Sequence, residues 1–299
     1  MTELTTTFKQ WNNYKFNNFS GSRFRDFLRN SALDILSLKI NSPNSEKLFK
    51  KPRIQFLYIH HVFDDEIENF DKLLFFLSKH YEFISYSKAV NKILTGDIDK
   101  PYICISSDDG FKNNLNAVKI MNKYGVKGCF FVNPDTIGLK DFSKIKLFCN
   151  NILRCAPTEF MEWDDLENLI KYGHEIGSHT MNHIKVSETN INIVEDNINE
   201  SYQILNKRFG EVSHFAYPFG RYFHFNKQAF DLVFKAGFIS CASAERGCHI
   251  SDEKPLNNNQ LLIRRDDLVC NSNINHMLYF ILNNSKNSSS KTNLYPKHD

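Results

Sequence analysis

The chain has 299 residues, 41% of them hydrophobic and 24% charged, which suits one large globular domain or two small ones and argues against a disordered chain. Thirty-seven Lys and Arg against 34 Asp and Glu leave a net charge of only +3, so a nucleic-acid binder relying on bulk electrostatics is not expected. Seven cysteines, an odd number with no CxxC spacing, argue against a disulfide framework or a cysteine-ligated zinc and for reduced, mostly buried thiols.

Residues 1–50 read as an N-terminal extension. Within it Phe24, Phe27, Leu28, Ala32, Ile35 and Leu36 recur at helical spacing beside Arg23, Arg25 and Arg29. A basic amphipathic helix over residues 23–38 can lie on an anionic membrane surface. The commoner fate of such an apolar stripe, and the one expected here, is to pack on the main domain. The first residues lack the charged region and apolar stretch of a secretory signal, and no apolar run approaches the ~20 residues of a membrane span. A cytoplasmic protein is expected, with a peripheral contact at the inner face of the membrane through residues 23–38 as the open alternative.

From Lys51 the pattern becomes one of alternating strands and helices. Strands are expected at 53–59, 102–106, 128–132, 174–178, 213–217, 238–242 and near 261–264. Helices are expected at 66–80, 87–94, 113–124, 161–172, 190–209, 227–235 and around 274–282, with a less regular stretch to about residue 158. The polar run from Asn283 to Asp299 reads as a disordered tail. About seven strands alternating with helices over residues 51–282 predict an α/β fold, a distorted or incomplete (β/α) barrel of parallel strands.

The residues with chemical character follow predicted strands. His60 and His61 follow the first, Asp108 and Asp109 the second, His179 and His183 the 174–178 strand, and Tyr217-Pro218-Phe219-Gly220 the 213–217 strand. In parallel βα architectures such loops form the site, at the carboxyl ends of the strands. His179 and His183, four residues apart, can reach one metal, although a lone HxxxH pair is more often two solvated or core histidines. Asp108-Asp109-Gly110 can be an ordinary turn and helix cap, or can offer one carboxylate to a metal and one to a proton. His174, His214 and His80 read as structural or surface residues, while His224 and His249 lie in loops that can line a cleft.

Taken together these segments resemble the polysaccharide deacetylase family, the NodB-like carbohydrate esterases. Ser106-Ser107-Asp108-Asp109-Gly110 is similar to its first motif, and His179-Thr180-Met181-Asn182-His183 to its H-[ST]-x-x-H motif. Phe215-Ala216-Tyr217-Pro218-Phe219-Gly220 resembles the FAYPxG form of the third, and Phe56 to His61 the strand and histidine of the branch with permuted motif order. The resemblance implies a divalent metal held by Asp109, His179 and His183, zinc in the first place, with cobalt, nickel, manganese or iron as alternatives. It implies Asp108 as general base and the Phe219 N–H, in its turn with Tyr217 and Pro218, as oxyanion donor. His60 becomes the candidate general acid, with His61 the near alternative. The family's Arg two residues before the proline is Ala216 here, so a base-orienting arginine must come from elsewhere, with Arg264 and Arg265 as candidates.

The function so implied is metal-dependent removal of an N-acyl group, N-acetyl first, from an amino sugar, with a cytosolic nucleotide- or lipid-linked glycan precursor as the expected substrate. A deformylase or small-amide amidohydrolase would use the same site. A non-haem iron oxygenase would use the two-His-one-carboxylate set but has no need of Asp108. A catalytically silent glycan-binding protein of the same fold has no reason in chemistry to keep all four residues.

Overall fold

A computed structural model of the protein describes residues 7–11, 23–251 and 260–287. The chain enters through helices α1 (Arg23–Ser37) and α2 (Pro43–Phe49), joined by a 3-10 turn at Leu38–Asn41. Then follow β1 (Arg53–Ile59), α3 (Ile67–Ser78), β2 (Glu82–Phe83), α4 (Tyr86–Thr95), β3 (Pro101–Ser107), α5 (Asn114–Lys123) and β4 (Cys129–Val132). The second half contains α6 (Phe142–Phe148), α7 (Trp163–Lys171), β5 (Glu175–Ser178), α8 (Ile191–Phe209), β6 (His214–Ala216), α9 (Lys227–Ala236) and β7 (Ser240–Ala242). The last elements are β8 (Leu261–Ile263), β9 (Arg265–Asp267) and α10 (Ile274–Asn284).

Every strand pairing in the sheet is parallel, in the order β8-β7-β6-β5-β4-β3-β1-β9, with the short β2 also on β3. β8 and β9 are two halves of one run, broken at Arg264. The first half pairs with β7 and the second with β1, so this run closes the sheet into a nearly complete barrel. The expected distorted (β/α) barrel is the fold found.

Strand alternation sorts the core into two layers. Ile54, Phe56, Cys104, Cys129, Phe131, Ala216, Ala242, Leu261 and Ile263 fill the interior. Leu57, Ile59, Ile103, Ile105, Phe130, Val132, Ile176, Phe215 and Leu262 face outward, under the helices. Tyr86, Ala89, Val90 and Ile93 of α4 join the interior layer, beside Ile54 and Tyr102 near the N-terminal ends of β1 and β3. One end of the barrel is thereby stoppered with apolar side chains, and the polar residues gather at the other.

Three elements were not apparent in the sequence pattern: β2, too short to show a period; α6 with its π turn at Cys149–Leu153; and α2. The tail expected from Asn283 departs from the structure at its start. α10 runs to Asn284, and a 3-10 turn with a buried Ser285 covers Ser285–Asn287. The remainder of that tail, residues 288–299, lies outside the described residues. All seven cysteines are free thiols, six of them buried. Among the described residues no helix is long and apolar enough to cross a membrane.

Candidate active site and metal centre

β3 delivers its C-terminal residues between β1 and β4, and the Asp108 amide donates to the Ile59 carbonyl at 3.0 Å. Asp109 then turns into the left-handed region with φ 68°, followed by Gly110 with φ 70°. Two successive left-handed residues bend the chain sharply, and glycine is the residue that accepts the second without strain. This turn brings Asp109 Oδ1 to 3.5 Å from both His179 Nε2 and His183 Nε2. The candidate ligand atoms of these three residues all lie within 4.8 Å of one another, and all three residues are buried.

The histidine loop is tied down from outside. Asn133 Nδ2 donates to the carbonyls of His179 and Thr180, and Asn197 Oδ1 accepts from the Met181 amide at 2.8 Å. His179 Nδ1 lies 2.7 Å from the Ala216 carbonyl, which fixes the tautomer with the proton on Nδ1 and turns the Nε2 lone pair toward Asp109. Burial, opposed by Asp109, holds the His183 imidazole down at about 4, so it is neutral and able to donate a lone pair at physiological pH. Asp109 Oδ1 is buried with no hydrogen-bond donor to satisfy it. A buried carboxylate oxygen facing the Nε2 atoms of two imidazoles fits a divalent cation, which would offset its desolvation.

Asp108 has a different environment. Arg265 donates from Nη1 to Oδ1 at 2.7 Å and from Nη2 to Oδ2 at 2.8 Å, while its Nε donates to the Ser243 carbonyl at 2.9 Å. Burial pushes the Asp108 carboxyl up, but the Arg265 charge, which also hydrogen-bonds it, outweighs burial and leaves the group below the usual carboxylate range. Of the two arginines expected as candidates, the structure places Arg265 on the carboxylate. Arg264 points the other way, as strand alternation requires, with Nη1 donating to the Arg246 carbonyl and the guanidinium near the Tyr222 ring.

His60 stands at the end of β1, half-buried, with Nδ1 3.8 Å from Asp267 Oδ1. Burial alone would lower its pKa, but the carboxylates of Asp109, Asp267 and Asp108 together raise it. His61 is sandwiched between Phe63 and Phe111, with ring centroids at 4.9 and 4.3 Å, and burial followed by the His60 charge holds it down at about 3. A neutral, stacked imidazole is a poor proton donor, so the geometry favours His60 over His61.

The Tyr217-Pro218-Phe219-Gly220 turn forms the facing wall. Tyr217 stacks flat on Phe225 at 4.2 Å, and Phe219 has φ 63° with its ring 4.8 Å from His183. Gly220, with φ 66°, packs so closely that an added Cβ would come within 2.6 Å of the Ala244 backbone nitrogen, which donates to its carbonyl at 2.7 Å. The cleft these elements enclose has a volume of about 360 Å³, within the range of small-molecule sites. Trp11, Tyr58, Glu66, Phe111, Arg154 and Asp267 also line it, and none of these stood out in the sequence. Asp267 was the most accessible of them to inference, as an acidic residue ending the last strand beside the candidate arginines. Asn114, which holds the His60 carbonyl at 2.9 Å and Ser107 Oγ at 2.8 Å, carries no such signal.

A family model for polysaccharide deacetylases matches residues 95–238, the segment carrying Asp108, Asp109, His179, His183 and the Phe219 turn. The chain matches the polysaccharide deacetylase family over this segment, just under half of its length. It is a hydrolase of carbon–nitrogen amide bonds. Solved structures agree on the fold. IcaB from Ammonifex degensii is 15% identical, with a TM-score of 0.62 over 78% of this chain and 98% of its own. Streptococcus pyogenes deacetylase PplD, solved with acetate, is 17% identical, with a TM-score of 0.58 over 76% and 98%. The polysaccharide deacetylase BC0361 from Bacillus cereus is 18% identical, with a TM-score of 0.59 over 78% and 70%. A search of curated proteins finds no match. In this deacetylase His60, Arg265 and Asp267 lie outside the matched segment, on either side of it. The barrel seam between β1 and β9 joins them to it, with Phe56 opposite Arg265 and Tyr58 opposite Asp267.

The deacetylase site is also where the backbone is strained. The described residues other than glycine with positive φ are Asp109, Arg154, Thr180, His183 and Phe219. Four of them line the cleft, and Thr180 links the two histidines. Each such residue costs on the order of 1 kcal/mol, and strain gathered in this way marks a functional constraint.

Proposed function

We propose that the protein hydrolyses the N-acetyl group of an amino sugar in a glycan or a nucleotide- or lipid-linked glycan precursor, releasing acetate and a free amine. The observation that carries this reading is the orphaned Asp109 Oδ1 facing His179 and His183, beside a second carboxylate already neutralised by Arg265. Asp109, His179 and His183 would hold a divalent cation, zinc in the first place, which would supply Lewis acidity toward an amide carbonyl and a lowered pKa for water.

The chain's own groups perform the proton transfers. Asp108, kept ionised by Arg265, accepts a proton from the attacking water. Arg265 fixes both carboxylate oxygens and so sets the direction from which that proton is taken. The Phe219 N–H donates to the oxyanion of the tetrahedral intermediate. His60, made more basic by the surrounding carboxylates, carries the proton to the departing nitrogen, and Asp267 positions it. Trp11 offers an apolar ring to the sugar at the wall of the cleft.

The test is acetate release by the metal-loaded protein from N-acetylglucosamine oligomers and from nucleotide- and lipid-linked N-acetyl sugars. N-formyl sugars and simple amides serve as comparators. Turnover of an N-acetyl sugar that vanishes in Asp108→Asn supports the reading. A kcat/KM higher for the simple amides than for every sugar would replace it with a small-amide amidohydrolase.

A further inference from the structure

Among the described residues, the first helix meets the rest of the protein along one side. Leu33 and Ser37 of α1, and Ile40 in the turn after it, are buried, and His276 Nε2 of α10 meets Asp34 at 2.7 Å. Phe27, Leu28 and Ile35 lie roughly 120–160° around the helix from Leu33. They are 65%, 52% and 68% exposed, and Leu38 in the following turn is 76% exposed. The stripe expected to find a core therefore faces solvent over much of its length. Fourteen large apolar side chains are exposed among the described residues, and four of them fall between residues 27 and 38. Single exposed apolar residues need no explanation, but a row of four on one helix and its turn does.

Charge gathers on the same segment. Residues 23–51 hold seven Lys and Arg against three Asp and Glu, a surplus of four, so the rest of the chain carries a net charge of −1. Two of the three acidic residues are engaged, Asp34 with His276 and Glu46 with Lys50 at 2.8 Å. Lys47, Lys50, Lys51 and Lys286 line a surface hollow with Ser42, four residues beyond the exposed Leu38. The apolar row and the lysine cluster are thus continuous along the chain.

We propose that α1 and the turn after it form a docking face for an anionic phospholipid surface, with the apolar row entering the headgroup boundary and the lysines pairing with lipid phosphates. An apolar face flanked by excess cationic charge is the chemistry that such a surface selects. A second copy of the chain is disfavoured as occupant. Two-fold pairing through this face would bring the lysine cluster toward its own image. The proposal stands independently of the deacetylase chemistry.

The test is sedimentation of the full chain with phosphatidylcholine vesicles, with and without phosphatidylglycerol. Partition onto the phosphatidylglycerol vesicles is expected, weakening as salt rises. The variant F27S/L28S/I35S should lower it by about tenfold or more with the melting temperature unchanged, because these side chains are already in solvent. K47E/K51E should lower it as well. No partition of the native chain, equal partition onto pure phosphatidylcholine, or native partition by F27S/L28S/I35S would each overturn the proposal. So would a native dimer that the serine variant converts to a monomer, since the face would then belong to a second copy.

Discussion

Replacing Arg265 by Met tests the environment assigned to the general base. The pair is almost wholly buried and bidentate, at 2.7 and 2.8 Å, and the substitution keeps apolar volume while removing the charge. Breaking a buried pair from one side leaves an uncompensated charge and costs about 3–5 kcal/mol. The pH dependence carries the sharper information. In the native protein the Asp108 pKa lies below its usual value, so its contribution to stability is present above the usual carboxylate range and fades as pH falls through it. Without Arg265 the burial term dominates, the folded-state pKa rises above the unfolded one, and the contribution becomes a penalty that grows as pH rises. Urea unfolding of metal-free protein at roughly pH 5 and pH 8 should therefore show a much larger loss at the higher pH. The acid limb of the activity profile should move to higher pH, because the base must now be ionised against burial. Adding Asp108→Asn to Arg265→Met should recover part of the stability by removing the lone charge. Equal losses at both pH values, together with an unmoved acid limb, would refute the reasoning.

Asp109→Ala, His179→Ala and His183→Ala should each lose stoichiometric metal, measured by elemental analysis, and turnover with it, whereas Asp108→Asn should keep the metal and lose turnover only. Asp267→Asn removes one of the carboxylates that raise His60, so the alkaline limb of the kcat profile should shift to lower pH; an unmoved limb would remove Asp267 from the proton path. Glu66, whose Oε2 accepts from the Phe63 amide at 2.9 Å, is pushed up to about 7 by burial. The folded chain holds a proton there that the unfolded chain releases, so stability falls as pH rises from the usual carboxylate range to about 7. That fall is roughly 3 kcal/mol at about 1.4 kcal/mol per pKa unit. Glu66→Gln should remove that part of the difference between urea unfolding at pH 5 and pH 8, and an unchanged difference would contradict the assignment.

Much of this protein could be read from local pattern alone. Apolar runs such as Phe56–Ile59 and Ile103–Ile105 mark strands because a strand buried on both faces has no polar side to show. The rule that sites gather at the carboxyl ends of parallel strands then picks out Asp108, Asp109, His179 and His183. The tertiary structure decided whatever depends on closing the barrel. Arg264 and Arg265 are indistinguishable as neighbours in sequence, and only the register Phe56 opposite Arg265 turns one guanidinium inward and the other out. Asp267 meets His60 because one run bridges β7 and β1, a contact between residues more than two hundred apart that no local period encodes. The left-handed turns at Asp109, His183 and Phe219 are equally silent in sequence, since non-glycine residues adopt that conformation uncommonly, Asp and His more often than Phe, and no local pattern marks where surrounding contacts impose it. The direction of α1 was decided in the same way. Helical spacing announces an apolar face, but which side meets the domain depends on where Leu33, Ser37 and Ile40 find a surface to bury against.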